Sequence, residues 1–471
     1  MKATKFFKWS VWVIWLLVGT SCHDSKTYTS VVSDMDGCAA APVIAFSSGA
    51  FFEQGELEAL NSAAYFRIEV PPEGAWYQLE TENALLPVYS FDPVLSLLSA
   101  DGSTPIGSVD DSLITATTDS FYVYYAPGGQ SLCVKLESYQ NWTESSLAAQ
   151  HVDHALNYAV RFMQNSTMSS QYDVSAAGVS NDTTAEATHV AMVPVDAADT
   201  VGEVASADNT YSFVHGRLDS VADADVYAFT TGDAETISGV SLNMRTGAGN
   251  PLSGISGSGT TATVQIEILD STEQLIASMS MDRLRRDILA NLSPQTTYFI
   301  RVSGAPGWTP GANDFYSLYL FSTPSENFAF EAVSDNDSYE TAELLALEPT
   351  VDGYQVGSWL GTLDELDTVD VFRIELSIQH YLLMFCTGAT MGSGIQNFTV
   401  TAVNVTSGME TELQSGVESD VPIEWSDGNN ATASYILLPA GTTYLQVTGV
   451  PSEFPSSHLY YCSLALAGAS K

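Results

Sequence analysis

The chain has 471 residues, with 56 acidic and 15 basic side chains and a formal net charge of −41 at pH 7. A chain of this length exceeds what one hydrophobic core supports, so we expect two to four domains. The negative charge would repel nucleic acids and anionic lipid headgroups, which excludes both classes of partner. The same charge is compatible with binding of metal cations.

Residues 1–21 are typical of a signal peptide. Three lysines precede an apolar run from Trp9 to Val18, and small residues then lead to Cys22. The apolar run is about half the roughly 20 residues that a membrane-spanning helix needs. Small residues before a single cysteine resemble the lipobox of bacterial lipoproteins. This resemblance implies that Cys22 is lipidated and that residues 22–37 form a tether to the outer membrane or cell surface, with ordinary secretion as the alternative.

One spacing of residue types occurs three times along the chain. Each copy has Gly, then Leu two residues later, an acid three residues later and an aromatic residue eleven residues later. The copies are Gly55/Leu57/Glu58/Phe66, Gly216/Leu218/Asp219/Tyr227 and Gly361/Leu363/Asp364/Phe372. The repeat predicts three related modules at 38–165, 191–324 and 325–471. The stretch 166–190 is rich in Ser, Thr, Ala and Asp, and it predicts a flexible or extended linker.

Period-2 alternation of apolar and polar side chains predicts β-strands next to the repeats. It is seen in "YFRIEV" from Tyr65 and in "VFRIEL" from Val371. Such alternation is typical of strands with one buried and one solvated face. Helical periodicity is confined to short stretches near 144–162 and 338–345. The sequence therefore predicts an all-β fold of tandem antiparallel β-sandwiches.

The stretch "SFYVYYAPGG" from Ser120 is the most aromatic strand candidate. Alternation places Tyr122 and Tyr124 on one face and Phe121, Val123 and Tyr125 on the other. One face should be buried, and the other could form an exposed patch that binds proteins or sugars. Packing against a neighbouring module or the 146–165 stretch is the simpler interpretation.

Four cysteines remain after Cys22, and in an exported protein they are expected to pair. They are Cys38, Cys133, Cys386 and Cys462. Four cysteines allow three connectivities. Nearness within a module favours Cys38–Cys133 in the first and Cys386–Cys462 in the third.

Several phrases resemble one bacterial family. They are "SDNDSYETA" from Ser334 and "LPAGTTYLQVTG" from Leu438 in the third module, "FDPVLSLLSADG" from Phe91 in the first, and "VDAADT" from Val195 and "ADADVYAF" from Ala222 in the second. They resemble the pre-peptidase C-terminal (PPC) domain, which is similar to the collagen-binding domain of clostridial collagenases. The resemblance implies three tandem jelly-roll-like β-sandwiches on an exported protein, which bind partners or aid secretion and do not catalyse.

The resemblance also implies Ca²⁺ sites, because some members of the family bind Ca²⁺ with the opening phrase and an Asp-rich loop. Ca²⁺ takes six to eight oxygen ligands. In the third module the matching residues are Asn336, Asp337, Asp367 and Asp370, and in the second they are Asp196, Asp199 and Asp225. Asn61 and Ala64 stand at the loop positions of the first module, where we expect no site. The alternative is that these acids only stabilise turns.

Sequence motifs of common enzyme classes are absent, including Gly-x-Ser-x-Gly, His-Glu-x-x-His, Cys-x-x-Cys and a glycine-rich phosphate loop. His151 and His154 could in principle bind a metal, but a solvated pair is the simpler interpretation. We therefore expect a non-catalytic lipoprotein that adheres to, or binds, extracellular protein or polysaccharide. An accessory or inhibitory partner of a secreted peptidase and a divergent extracellular enzyme are the alternatives.

Overall fold

The computed structural model describes most of the chain after the tether. The described residues are 34–46, 49–57, 59, 61–81, 92–110, 120–143, 156–164, 171–172, 181–194, 209–242, 257–281, 287–311, 314–325, 336–350, 353–364, 368–388, 392–406, 409–417, 423, 425–426, 432–453 and 455–468. Several predicted features lie outside them: the signal peptide, Cys22, His151, His154, Asp196, Asp199 and Asp367. Within these ranges, no helix has both the length and the apolar character needed to cross a membrane.

The fold is nearly all β, as the sequence predicts. The described residues contain 31 strands in six sheets. Two sheets belong to each of three parts of the chain, which we call the first (34–164), second (171–325) and third (336–468) segments. In each segment the apolar faces of the two sheets contribute to a buried core.

The first segment has two four-stranded sheets, ordered β1-β8-β3-β6 and β2-β7-β4-β5, in which all neighbours are antiparallel. Its strands are β1 (Ala50–Leu57), β2 (Ala63–Glu69), β3 (Ala75–Thr81), β4 (Pro93–Ser99), β5 (Pro105–Val109), β6 (Phe121–Ala126), β7 (Ser131–Ser138) and β8 (Leu156–Gln164). Its helices are α1 (Asp34–Ala40) and α2 (Tyr139–Trp142). The helical pattern predicted near 144–162 is wrong in its described part, 156–162, which lies in β8. The apolar residues of that stretch pair with β1 and β3.

The second segment has sheets ordered β10-β13-β18-β15-β16 and β11-β12-β19-β14-β17, with β9 beside β12. Its strands are β9 (Gln171–Tyr172), β10 (Thr188–His189), β11 (Val193–Pro194), β12 (Thr210–Gly216), β13 (Ala224–Thr230), β14 (Thr236–Leu242), β15 (Val264–Leu269), β16 (Leu275–Met281), β17 (Asp287–Leu292), β18 (Thr297–Gly304) and β19 (Tyr316–Pro324).

The third segment has sheets ordered β20-β23-β30-β25-β26-β27-β28 and β21-β22-β31-β24-β29. Its strands are β20 (Glu343–Leu344), β21 (Glu348–Pro349), β22 (Gln355–Thr362), β23 (Val369–Leu376), β24 (His380–Thr387), β25 (Ile395–Thr406), β26 (Met409–Val417), β27 (Trp425–Ser426), β28 (Thr432–Ala433), β29 (Ile436–Leu438), β30 (Gly441–Pro451) and β31 (Leu459–Gly468). The helical pattern predicted near 338–345 is also wrong, since this stretch forms a turn and then β20.

The repeated spacing marks the point where the chain crosses from one sheet to the other. The glycines lie on β1, β12 and β22, and the aromatic residues lie on the following strands β2, β13 and β23 of the facing sheet. The aromatic residues Phe66, Tyr227 and Phe372 are at most 2% exposed. The leucine and the aromatic residue of each repeat therefore pack in the core, and the number of residues between them reflects the length of the connection between the two strands.

The predicted linker at 166–190 is wrong for residues 181–190. Strand β10 pairs in parallel with β13, as β20 pairs in parallel with β23 in the third segment. The main-chain carbonyl of Asn181 accepts a hydrogen bond from the amide of Val226 at 2.8 Å. Residues 181–190 are thus part of the second sandwich. A strand of two residues is too short to show periodicity, which is why the sequence pattern missed it.

The first and second segments pack directly against each other. Trp76 and Tyr124 both make edge-to-face contacts with Phe315, with ring centroids 5.8 and 5.4 Å apart. The guanidinium of Arg217 lies 4.3 Å from the ring centroid of Tyr125. The interpretation that the aromatic strand packs against a neighbouring module is therefore confirmed for Tyr124 and Tyr125.

The second and third segments share a separate apolar contact. Ile237 of β14 packs with Leu360 and Leu459, and all three are at most 1% exposed. The edge strand β16 is covered there as well, because the amide of Ser278 donates to the carbonyl of Gly392 at 3.1 Å. This contact covers part of the edge strand, and a covered edge is less available to pair with further strands.

Two disulfides join the predicted partners. Cys38 of α1 is bonded to Cys133 of β7, and Cys386 of β24 is bonded to Cys462 directly opposite on β31. All four cysteines are fully buried. Stable disulfides are typical of proteins exported from the cytosol, which agrees with an exported chain.

His215 lies in the interface between the first and second segments and should make it sensitive to acid. Its ring is 6.0 Å from that of Trp76, and burial lowers its pKa from 6.5 to about 3. Between these pH values the unfolded chain binds a proton that the folded chain does not, so stability falls as pH falls. The loss approaches about 1.4 kcal/mol per pH unit below 6.5.

We therefore expect His215→Phe to flatten the decrease in melting temperature between pH 7 and pH 5, as measured by calorimetry. The decrease in melting temperature must be compared with that of the unaltered chain, because many carboxylates titrate in both proteins. His189→Gln, which changes an exposed histidine, should leave the decrease unchanged. Equal slopes for His215→Phe and the unaltered chain would contradict this assignment.

Candidate functional site

Each repeat glycine lies beneath a tyrosine of the last strand of its segment. Gly216 is directly opposite Tyr316, and Gly361 is directly opposite Tyr460. A Cβ atom on these glycines would lie 2.1 and 2.2 Å from the tyrosine ring or hydroxyl. Glycine is required at these positions because the tyrosine ring occupies the space that a larger side chain would need.

The hydroxyl of each of these tyrosines donates to a buried carboxylate. Tyr316 donates to Asp225 at 2.6 Å, and Tyr460 donates to Asp370 at 2.7 Å. Both aspartates are fully buried. Burial, together with the neighbouring Tyr227 and Asp225, raises the pKa of Tyr316 well above its ordinary value. The tyrosine therefore keeps its proton and remains a donor at any physiological pH.

The first segment has the glycine and the tyrosine but lacks the carboxylate. Tyr158 lies opposite Gly55, and Ala64 occupies the position of the buried aspartate. The Tyr158 hydroxyl instead donates to Glu53 at 3.3 Å. Burial and the charge of Glu53 raise the pKa of Tyr158 to about 12.

In the third segment, the main chain places two of the four predicted Ca²⁺ ligands, Asn336 and Asp370, on adjacent stretches of chain. The carbonyl of Asn336 accepts a hydrogen bond at 2.8 Å from the amide of Val371, the residue after Asp370. The Asn336 side chain is fully buried, and among the described residues neither of its amide atoms has a hydrogen-bond partner. Asp337 is exposed, and Asp367 lies outside the described residues.

In the second segment, the structure reveals a residue that the sequence interpretation missed. Asn181 occupies the position that corresponds to Asn336. It is fully buried, and its main-chain carbonyl bonds to β13, the strand that corresponds to β23. Neither of its side-chain amide atoms has a hydrogen-bond partner among the described residues. "NDTTAEA" from Asn181 matches "NDSYETA" from Asn336 in its Asn-Asp start and final Ala. The match was missed because it lies in the stretch interpreted as a linker.

The donor chemistry of these clusters fits part of a Ca²⁺ shell. A buried carboxylate and a neighbouring amide side chain offer the oxygen ligands that Ca²⁺ prefers. An amide with neither atom satisfied is costly in a protein interior, and a bound cation would satisfy its carbonyl oxygen. Among the described residues, however, no group of three or more Asp, Glu, His or Cys is arranged to hold a metal. A full shell would need oxygens from Asp337 and Asp367 as well.

A second candidate site lies on the surface of the third segment. We call it the Tyr381 face, and it consists of Ile378, Tyr381, Tyr435 and Leu437, which are 54, 42, 57 and 45% exposed. Tyr381 of β24 lies directly opposite Leu437 of β29. The rings of Tyr381 and Tyr435 are 5.4 Å apart and nearly perpendicular, at 87°. Sequence analysis did not single out these residues, because they are separated by about fifty positions and meet only through strand pairing.

The chain has no match to a family model, and no curated protein matches it. Its similarity to solved structures is distant. A candidate secreted protein from Eubacterium rectale is 10% identical and covers 55% of this chain and 74% of that one, with a TM-score of 0.16. A GH2 beta-galacturonidase from Eisenbergiella tayi is 10% identical over 52% of this chain and 33% of that one, with a TM-score of 0.15. The CUB1-EGF-CUB2 domains of rat MASP-1 are 11% identical over 57% of this chain and 96% of that one, with a TM-score of 0.15.

Proposed function

We propose that the chain is an exported, non-catalytic binding protein of the bacterial cell envelope, built from PPC-like β-sandwiches. Its partner would be an extracellular protein or a polysaccharide. The observation that carries this proposal is the Tyr381 face, where two exposed tyrosines and two exposed aliphatic side chains lie on or next to two strands of one sheet. Contiguous exposed apolar surface on a folded protein commonly marks a binding site.

The polar clusters support a binding role more than a catalytic one. A general acid or base must reach its substrate. Asp225 and Asp370 are fully buried beneath tyrosine rings and accept hydrogen bonds from them. Their positions suit a structural role, with or without a cation.

Binding can be tested with the full mature chain immobilised on beads. The beads are incubated with extracellular matrix proteins, with polysaccharides and with the secreted proteins of the same culture. We expect retention of at least one defined extracellular protein or polysaccharide, and loss of retention in Tyr381→Ala with Tyr435→Ala. Retention of only a peptidase, with a change in its activity, would favour the accessory role. Absence of any retained ligand would contradict the proposal.

The lipid anchor is a separate part of the proposal. We expect the mature protein to partition into the detergent phase and to incorporate a labelled fatty acid. Cys22→Ala should abolish the labelling and release the protein into the soluble fraction. If the unaltered protein remains unlabelled, the anchor is wrong and ordinary secretion stands.

Calcium binding by the third segment gives a further prediction. Millimolar Ca²⁺ should raise the melting temperature of the full chain by a few degrees, since a ligand at a hundredfold excess over Kd stabilises the native state by about 2.7 kcal/mol. Asp370→Asn, which keeps an acceptor for Tyr460, combined with Asp367→Ala should abolish the shift. Asp101→Asn, in a turn of the first segment, should not change it. An unchanged melting curve with Ca²⁺, or an equal shift with Mg²⁺, would leave these residues as structural acids.

A further inference from the structure

We infer that the Tyr381 face binds a neutral polysaccharide. This inference rests on the proposed function and names its partner. The face lies on the outer side of the sheet β21-β22-β31-β24-β29, because the neighbouring residues Leu382, Ile436 and Leu438 point inward and are at most 4% exposed. The pairing of Tyr381 with Leu437 on one side and Ala467 on the other places the tyrosine between two small or apolar neighbours.

The outer side of this sheet is covered at one end and open at the other. Leu360 and Leu459, near one end of the strands, are buried against Ile237 of the second segment. Towards the other end, Tyr381 and Leu437 are 42 and 45% exposed. The Tyr381 face therefore continues an established interface beyond the edge of the second segment. It lies on a sheet held in place by that interface and by the Cys386–Cys462 disulfide.

The size of the face argues against a protein partner or a second copy of the chain. Fully exposed aromatic side chains offer about 150–250 Å² each. At the observed exposures, the four side chains together offer on the order of 300–400 Å², below the roughly 800 Å² that each partner contributes to a stable protein interface. An area of this size is sufficient for a few sugar rings.

The charge around the face favours an uncharged ligand. Residues 377–383, 433–438 and 463–468 contain no Asp, Glu, Lys or Arg, although the chain carries a net charge of −41. A basic ligand would be attracted to acidic side chains elsewhere on the surface, and an anionic polymer would be repelled by the net negative charge of the protein. The flanking Ser377, Gln379 and Ser434 are uncharged polar residues, and they can hydrogen-bond to hydroxyl groups.

The chemistry of the face matches that of a sugar ring. A pyranose has one face lined by C–H groups, which pack against an aromatic ring, and hydroxyl groups around its edge. Tyr381 and Tyr435 form a perpendicular pair, in which one ring points its edge at the face of the other. Both faces of the ring that contributes its edge are therefore left uncovered by its partner. One ring can therefore receive the C–H face of a sugar while the other borders it.

The test uses the full mature chain and neutral polysaccharides as probes: cellulose and chitin in depletion assays, and amylose and a soluble mixed-linkage glucan in affinity electrophoresis. We expect binding to at least one probe, with little dependence on salt. Tyr381→Ala and Tyr435→Ala should each weaken it about tenfold, because each variant removes one stacking surface. Phe52→Ala, which removes a 49% exposed aromatic residue of the first segment, should bind like the unaltered chain.

Three results would overturn the inference outright, and a fourth would overturn it while leaving the proposed function standing. The three are no binding to any of the four probes, binding that persists in the double variant, and a concentration-dependent dimer in sedimentation that the double variant abolishes. Capture of a defined extracellular protein by the Tyr381 face would also overturn it, but would leave the proposed function standing. The variants should keep the melting temperature of the unaltered chain, since the altered side chains are 42–57% exposed.

Discussion

Gly216→Ala is expected to destabilise the second segment by about 3–5 kcal/mol. The added methyl group would lie 2.1 Å from the Tyr316 hydroxyl, so the ring must move. Overpacking a core costs about 1–3 kcal/mol. Displacing the ring also takes the hydroxyl away from the buried Asp225, and a hydrogen bond to a charged group contributes about 1.5–3 kcal/mol. Calorimetry of the full chain should show the lowered melting temperature.

Two matched glycine variants separate this explanation from a general effect of alanine. Gly232 lies in the same segment, and a Cβ added there has no other atom within 4 Å. Gly232→Ala should therefore change the free energy of unfolding by less than about 1 kcal/mol. Gly55→Ala also meets a tyrosine, at 2.4 Å, but no buried carboxylate loses its donor there. Its effect should lie between the other two. Equal melting temperatures for Gly216→Ala and Gly232→Ala would contradict the role given to Tyr316.

The strands next to the repeats could be predicted because their signal is local. Alternation in "YFRIEV" and "VFRIEL" depends only on which face of a strand is buried, and β2 and β23 follow it. The reason for the glycine could not be predicted in this way. Tyr316 lies 100 residues after Gly216 in the sequence, and the two meet only because the last strand of the segment returns beside β12. A contact between distant residues leaves no periodic pattern.

The same limit applies to the candidate sites. Asn336 and Asp370 could be proposed because they resemble motifs of a known family, whereas Asn181 was missed because it lies in the stretch interpreted as a linker. The Tyr381 face and the burial of His215 depend on how sheets and segments pack. A single sequence does not contain that information in any short window.

Lys135→Met is expected to destabilise the first segment by about 3–5 kcal/mol, because it leaves the buried carboxylate of Glu137 without its cation. The Lys135 ammonium lies 3.0 Å from Glu137 Oε1, and the two side chains are only 12 and 2% exposed. The amide of Asn141 donates to the other carboxylate oxygen at 2.5 Å. A drop of roughly 10 °C in melting temperature is expected for a unit of this size.

The double variant Lys135→Met with Glu137→Gln provides the decisive comparison. It removes both charges, while the introduced amide oxygen can still accept the hydrogen bond from Asn141, so it should be more stable than Lys135→Met alone. Arg161→Met provides the control, since Arg161 and Glu80 form a 3.8 Å pair in which the arginine is 44% exposed. Exposed ion pairs contribute at most about 1 kcal/mol, so this change should be small. If the double variant is no more stable than Lys135→Met, the loss reflects packing of the lysine side chain and not an uncompensated buried charge.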